Sequence, residues 1–110
     1  MITPEIARKA LEALDALPNK RLASGSFYGA GDYCLTGAIV AKAFPSLDKG
    51  DMRGNSWVDH AEDLGLDATD RIDLYHLNDG ADVDGLIRKL DESPEDRYTR
   101  VYASLKEVVS

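Results

Sequence analysis

The sequence predicts a mainly α fold with a small α+β element. It reads as a compact bundle of about five to six helices around one buried central helix, and it admits a short two-stranded β-hairpin near residues 21–36. Three observations lead there. Apolar residues recur at helical spacing in several separate stretches. Two of those stretches open on a capping hydroxyl followed by proline, Thr3-Pro4 and Ser93-Pro94. A third stretch, CLTGAIVAKAF over 34–44, is apolar in nearly every direction around a helix, with Lys42 its one charge, which is the pattern of a buried helix.

Taken in order, Thr3-Pro4 starts a helix over 4–17, with Ile6, Ala10, Leu14 and Leu17 on one face and Pro18-Asn19 stopping it. Residues 21–36 hold two short runs around Gly29-Ala30-Gly31-Asp32. They read either as a hairpin or as a loop ending on Asp32, which then caps the next helix. The buried helix runs from about Cys34 to Phe44 and ends at Pro45, and residues 46–55 are polar and glycine-bearing, as in a surface loop.

Ser56 is positioned to cap a short helix with Trp57, Ala61 and Leu64 on one face and Gly65 at its end. Thr69 is positioned to cap another, with Ile72, Tyr75 and Leu77 ahead of a turn at Asn78-Asp79-Gly80. Asp82 would cap a third, carrying Val83, Leu86, Ile87 and Leu90. Ser93-Pro94-Glu95-Asp96 opens the last helix, with carboxylates in its electropositive first turn and Tyr98, Val101, Tyr102, Leu105 and Val108 on one stripe. No repeat, low-complexity tract or linker interrupts the chain, so residues 1–110 are expected to form a single globular domain.

The totals exclude several classes. With 44% apolar and 30% charged residues, the composition is globular, not disordered. No stretch approaches the ~20 apolar residues of a membrane span. The first residues alternate charge with apolar side chains, unlike the continuous apolar run of a signal peptide. One cysteine allows no intramolecular disulfide and suits a reducing cytoplasm.

The net charge of −7 is unevenly placed. Residues 56–96 carry 13 Asp/Glu against 3 Lys/Arg, while the flanking segments are slightly basic. Such a chain should be repelled by phosphate backbones, which argues against direct nucleic-acid binding. The simple reading of the acidic middle is a solvated face. The sharper reading is a surface, including Asp59, Glu62, Asp63, Asp67, Asp70 and Asp73, that meets a basic protein partner.

The residues with chemical potential are few. Cys34 precedes His60, His76, Asn78 and Asp79, an order that resembles papain-type cysteine hydrolases, and a helix N-terminus favours a thiolate. No family-type flanking signature surrounds it, and a buried cysteine at the start of a core helix is the simpler reading. Asp73, His76 and Asp79 fall at three-residue intervals that could offer metal ligands on one helical face, but a turn at 78–80 would remove Asp79 from it. No dinucleotide, phosphate-loop or nucleophile-elbow motif occurs, so no cofactor and no metal are expected. Asn78 and Asp79 read as an Asx-turn, with part of a ligand pocket as the alternative. Phe27, Tyr28 and Tyr33 gather at the glycine-rich turn, either as core or as a recognition patch, whereas Trp57 and Phe44 read as core.

Tyr33-Cys34-Leu35-Thr36-Gly37-Ala38, followed some forty residues later by Leu77-Asn78-Asp79-Gly80, resembles a loose group of small, largely uncharacterised bacterial and phage proteins with a C-x-x-G-A segment and an L-N-D turn. This chain differs from the group in having Asp82 as the following cap, with no Glu three residues later. The resemblance implies a small cytosolic or phage-encoded helical domain and no known activity. It directs attention to Cys34, Gly37, Ala38, Asn78 and Asp79. The leading functional expectation is an acidic binding protein that occupies a basic surface of a host complex, in the manner of anti-CRISPR and other anti-defence proteins. A cysteine hydrolase using Cys34 with His60 or His76, and a small-ligand binder, are the alternatives.

Overall fold

A computed structural model describes residues 2–24, 28–29, 31–47, 55–80 and 92–110, with Gly29, Asn55 and Ser56 described by backbone alone. Residues 25–27, with the aromatic Phe27, residue 30, most of the expected surface loop, and the helix expected from Asp82 lie outside the described residues.

Thr3 Oγ1 accepts the Ile6 amide at 3.2 Å and Pro4 fills the first turn, which starts α1 (Pro4–Asp15). The helix stops at Asp15, two residues short of the expected end, with Ala16 as its C-cap. Its buried side is Ala7, Ala10, Leu11, Ala13 and Leu14, while Ile6 and Leu17 flank the core. The alanines allow close approach of neighbouring helices.

Strands β1 (Tyr28–Gly29) and β2 (Asp32–Tyr33) pair antiparallel, with Tyr28 opposite Tyr33 and Gly29 opposite Asp32. Gly31 has φ 86°, which only glycine adopts without strain, so the turn falls where the glycines are. Asp32 is not a helix cap: it lies in β2, buried, with its Oδ2 3.1 Å from Arg21 Nε.

Cys34 is the N-cap of α2 (Leu35–Ala43), whose buried residues run unbroken from Leu35 to Val40. This helix packs against α1, β2, α3 and α4, which makes it the central element the apolar sequence implies.

α3 (Asn55–Asp63) begins before Ser56, so Ser56 stands inside the helix and does not cap it. Trp57 and Ala61 are fully buried. The helix ends in a Schellman arrangement: the Leu66 amide donates to Ala61 O at 3.1 Å, and Gly65, at φ 83°, donates to Glu62 O at 2.9 Å.

α4 (Ala68–Asp79) is capped by Asp67, not Thr69. Asp67 Oδ1 accepts the Asp70 amide at 2.8 Å while Asp70 Oδ2 accepts the Asp67 amide at 3.1 Å, a reciprocal box of two aspartates. The cap sets the helix phase, and Leu74 and Asn78 therefore face the core while Ile72 and Tyr75 face solvent, opposite to their expected side. The helix also runs through Asn78 and Asp79 and terminates only at Gly80, whose φ is 85° and whose amide bonds His76 O at 2.8 Å.

α5 (Pro94–Val109) starts as the sequence implies, with Ser93 Oγ accepting the Asp96 amide at 3.1 Å. It buries Arg97, Tyr98, Val101 and Leu105, but Val108, in its last turn, is 37% exposed. Tyr98 donates its hydroxyl to Leu14 O at 3.1 Å, tying α5 to the C-terminal end of α1. The Cα radius of gyration is 12.7 Å, close to the ~13 Å of a compact chain of this length. No helix among the described residues is long and apolar enough to cross a membrane.

Candidate functional site

The N-terminus of α2 is where the two quoted segments meet. Two of its free amides are taken by side chains: Cys34 Sγ accepts the Gly37 amide at 3.3 Å, and Asn78 Oδ1 accepts the Leu35 amide at 3.0 Å. Asn78 is 2% exposed, and its amide nitrogen donates to Ala23 O at 2.8 Å and to Asp79 Oδ1 at 2.7 Å. One side chain thus joins α4, α2 and the strap at 21–24. The strap itself is held by the Ala23 amide on Tyr33 O at 2.8 Å and the Leu22 amide on Pro94 O at 3.1 Å. Gly37 and Ala38 are buried in the first turns of α2.

An arginine pair completes this junction, and the sequence reading missed it. Arg100 donates to Leu77 O at 2.7 Å and Asn78 O at 2.8 Å, capping the carbonyl end of α4, and also binds Glu92 Oε1 at 2.8 Å. Arg97, 6% exposed, donates to Leu22 O at 2.8 Å and lies 3.5 Å from Glu92. Hydrogen bonding from Arg100 is the main reason that the Glu92 carboxyl is held below its ordinary range, against the opposing effect of partial burial. The available signal was an arginine beside Tyr98 on the stripe of α5 that faces inward.

The thiol is poorly suited to nucleophilic work in this setting. Burial pushes the Cys34 thiol up to about 11; the Gly37 and Thr36 amides pull it down by less, and nearby Asp79 adds to the rise. Among the described residues no hydrogen bond joins Sγ to an imidazole. His60 lies tilted against Phe44, ring centroids 4.8 Å apart, with its Nδ1 buried and lacking a hydrogen-bond partner, and His76 lies against Tyr75 at 6.1 Å. The Asn78 amide, the candidate orienting group, is occupied by the junction.

Asp79 stays on α4, so the expected turn does not separate it from Asp73 and His76. Steps of three residues nevertheless fan these groups across about 120° of the helix surface. Among the described residues no three of His, Cys, Asp and Glu converge as metal ligands. Tyr28 and Tyr33 meet edge-on at 5.1 Å and pack partly buried against the core. A groove of about 190 Å³ is lined by Lys9, Glu12, Ile39, Lys42, Ala43 and Leu64, none of which belongs to either turn.

Acidic charge is dense along α3, α4 and the cap between them. Residues 55–80 carry seven carboxylates and one arginine. Asp59, Glu62, Asp63 and Asp67 are exposed, Asp70 and Asp73 are partly buried, and the Asp67 and Asp70 carboxylates are engaged in the cap of α4. The arginine, Arg71, donates to Leu66 O at 2.8 Å and lies 3.5 Å from Glu62. Comparison with protein-family models, curated proteins and solved structures finds no match to this chain.

Proposed function

We propose that this chain is a protein-binding module that meets a basic partner surface through α3 and α4. One observation carries the reading: residues 55–80, which hold these two helices and the Asp67 cap, carry seven carboxylates against one arginine in a protein whose net charge is −7. A field so concentrated steers a basic partner and raises its association rate, while it repels phosphate backbones. In its most specific form, the reading is of a phage-encoded protein acting in the host cytoplasm, where the acidic face occupies a surface that otherwise holds nucleic acid, as anti-CRISPR and anti-defence inhibitors do.

The experiment is affinity capture from host extract followed by quantitative binding to the partner identified. Affinity should fall by at least about tenfold between roughly 50 mM and 500 mM salt, because the Debye length shrinks severalfold across that range. The triple variant Asp59→Lys, Glu62→Lys, Asp63→Lys should lose binding, and nucleic acid should compete. A partner indifferent to both salt and charge reversal would sink the proposal.

A further inference from the structure

We infer that the groove between α1 and α2 is a second docking surface, opposite in sign to the acidic face, and that it takes an acidic amphipathic helix of a partner protein. One apolar side chain of that helix sits in the groove and carboxylates flank it. The inference is independent of the reading above, because the groove shares no charged residue with α3 and α4. Ile39 and Ala43 stand one turn apart on α2 and, with Leu64 just past the end of α3, supply the apolar lining. Ile39 is 4% exposed and belongs to the core, so the floor is fixed in place. Lys9 and Lys42 come from the two helices that wall the groove, and Glu12 lies one turn after Lys9. Lysine stems extend such an apolar lining while their ammonium groups stay at the wet rim.

Charge and size select the occupant. None of the ion pairs among the described residues uses Lys9, Lys42 or Glu12. Lys9 Nζ donates to Leu64 O at 3.4 Å, a long contact that leaves its charge uncompensated. In a protein of net charge −7, this groove therefore sets two ammonium groups against one carboxylate. Such a rim attracts carboxylates placed beside an apolar group. The volume of about 190 Å³ lies below the roughly 300–1,000 Å³ of small-molecule sites, so the groove suits an anchoring side chain and not a cofactor-sized ligand. A helix laid in a groove presents that anchor with carboxylates one turn to either side. Two lysines are too few to hold a phosphate backbone against the net charge. Glu12 is the one lining group that opposes an acidic occupant, which makes it the discriminating residue.

The test uses the full chain and three synthetic peptides of equal length: an amphipathic glutamate–leucine helix, its scrambled form without an apolar stripe, and a version with lysine in place of glutamate. Octanoate serves as a small anionic amphiphile. Affinities are measured with wild type, Lys42→Gln, Leu64→Ala and Glu12→Gln, and the site is mapped by backbone amide shifts. The glutamate–leucine helix should bind about tenfold more tightly than its scrambled form, with shifts centred on residues 9–12, 39–43 and 64. The lysine version should leave those residues unshifted. Leu64→Ala should weaken binding about tenfold, as loss of an anchor contact does, and Lys42→Gln about threefold, the scale of an exposed ion pair. Glu12→Gln should tighten binding about threefold, a gain that structural damage would not produce. Equal binding of the first two peptides, affinities that no variant changes, or no binding at all would overturn the inference. Shifts at the groove with octanoate and none with the helix would overturn it in favour of a small ligand. Self-association that Lys42→Gln abolishes would overturn it in favour of a second copy.

Discussion

Asn78 Oδ1 accepts the backbone amide of Leu35 at 3.0 Å, across 43 positions of sequence. The bond supplies the first turn of the central helix with an acceptor from a different helix. With Ala23 O on its amide nitrogen, Asn78 is a buried polar side chain whose donor and acceptor sides are both occupied.

Asn78→Ala should therefore destabilise by about 2–4 kcal/mol, because it strands the Leu35 amide and the Ala23 carbonyl away from water. Asn78→Asp should do no better: it keeps an acceptor for Leu35, loses the donor to Ala23 and sets a charge beside Asp79. Urea unfolding with an unchanged m-value reads the effect, and wild-type stability for either variant would refute the role assigned to the junction.

Arg100 reaches two carbonyls of α4 and both oxygens of Glu92 at once, which needs a planar fork. Arg100→Lys should thus lose most of what Arg100→Ala loses, about 1.5–3 kcal/mol with the partly exposed site taken into account. A double-mutant cycle with Glu92→Gln should show a coupling of at least about 0.5 kcal/mol. Strict additivity would mean that the pair contributes nothing jointly.

The depressed Glu92 carboxyl sets an acid limb. Its contribution to stability is fully present above the ordinary glutamate value of 4.5, where the unfolded chain is also ionised, and is lost as pH falls through the lower folded value. Stability measured from neutral pH downwards should fall below 4.5 in wild type. The fall should be shallower in Glu92→Gln. Identical pH profiles for the two proteins would remove Glu92 from the explanation.

Cys34 provides the alkaline counterpart. Its thiol is raised to about 11, so the neutral form is favoured in the fold; that stability is complete below 9.0 and is lost as pH rises towards the folded value. Alkylation of the native protein at neutral pH should be slow and should accelerate on unfolding. Fast native labelling with a midpoint below about 8.5 would instead mark a reactive thiolate. Since Sγ also caps α2, Cys34→Ala should cost about 0.5–2 kcal/mol and Cys34→Ser less, a ranking that thermal melts can check.

Local chemistry was enough where an element is specified by its own neighbours. Thr3-Pro4 and Ser93-Pro94 start α1 and α5, Gly65 ends α3, and the apolar run after Cys34 becomes the central helix, because capping and turn conformations depend on residues within one helical turn. The cap of α4 was legible in principle, but the signature is spelled Asp67 and Asp70 in place of a hydroxyl and a glutamate.

The reading failed where a distant partner decided the outcome. Asn78-Asp79-Gly80 has the composition of a turn, yet Asn78 and Asp79 stay helical, with Leu35, Ala23 and Arg100 satisfying what a turn would have satisfied locally. The same bonds and the Asp67 cap orient α4 with Leu74 inward and Ile72 and Tyr75 outward, a choice that its apolar residues, present on both faces, left open.

Sequence by itself determined the mainly helical class, the position of the buried helix and the acidity of the middle of the chain, since all three follow from composition and short-range periodicity. Only the folded arrangement decided that Cys34 is a raised-pKa cap, that Arg97, Arg100 and Glu92 form a junction, and which face of α4 meets water. Those properties depend on burial and on hydrogen bonds between residues far apart in the chain, and no local pattern encodes either.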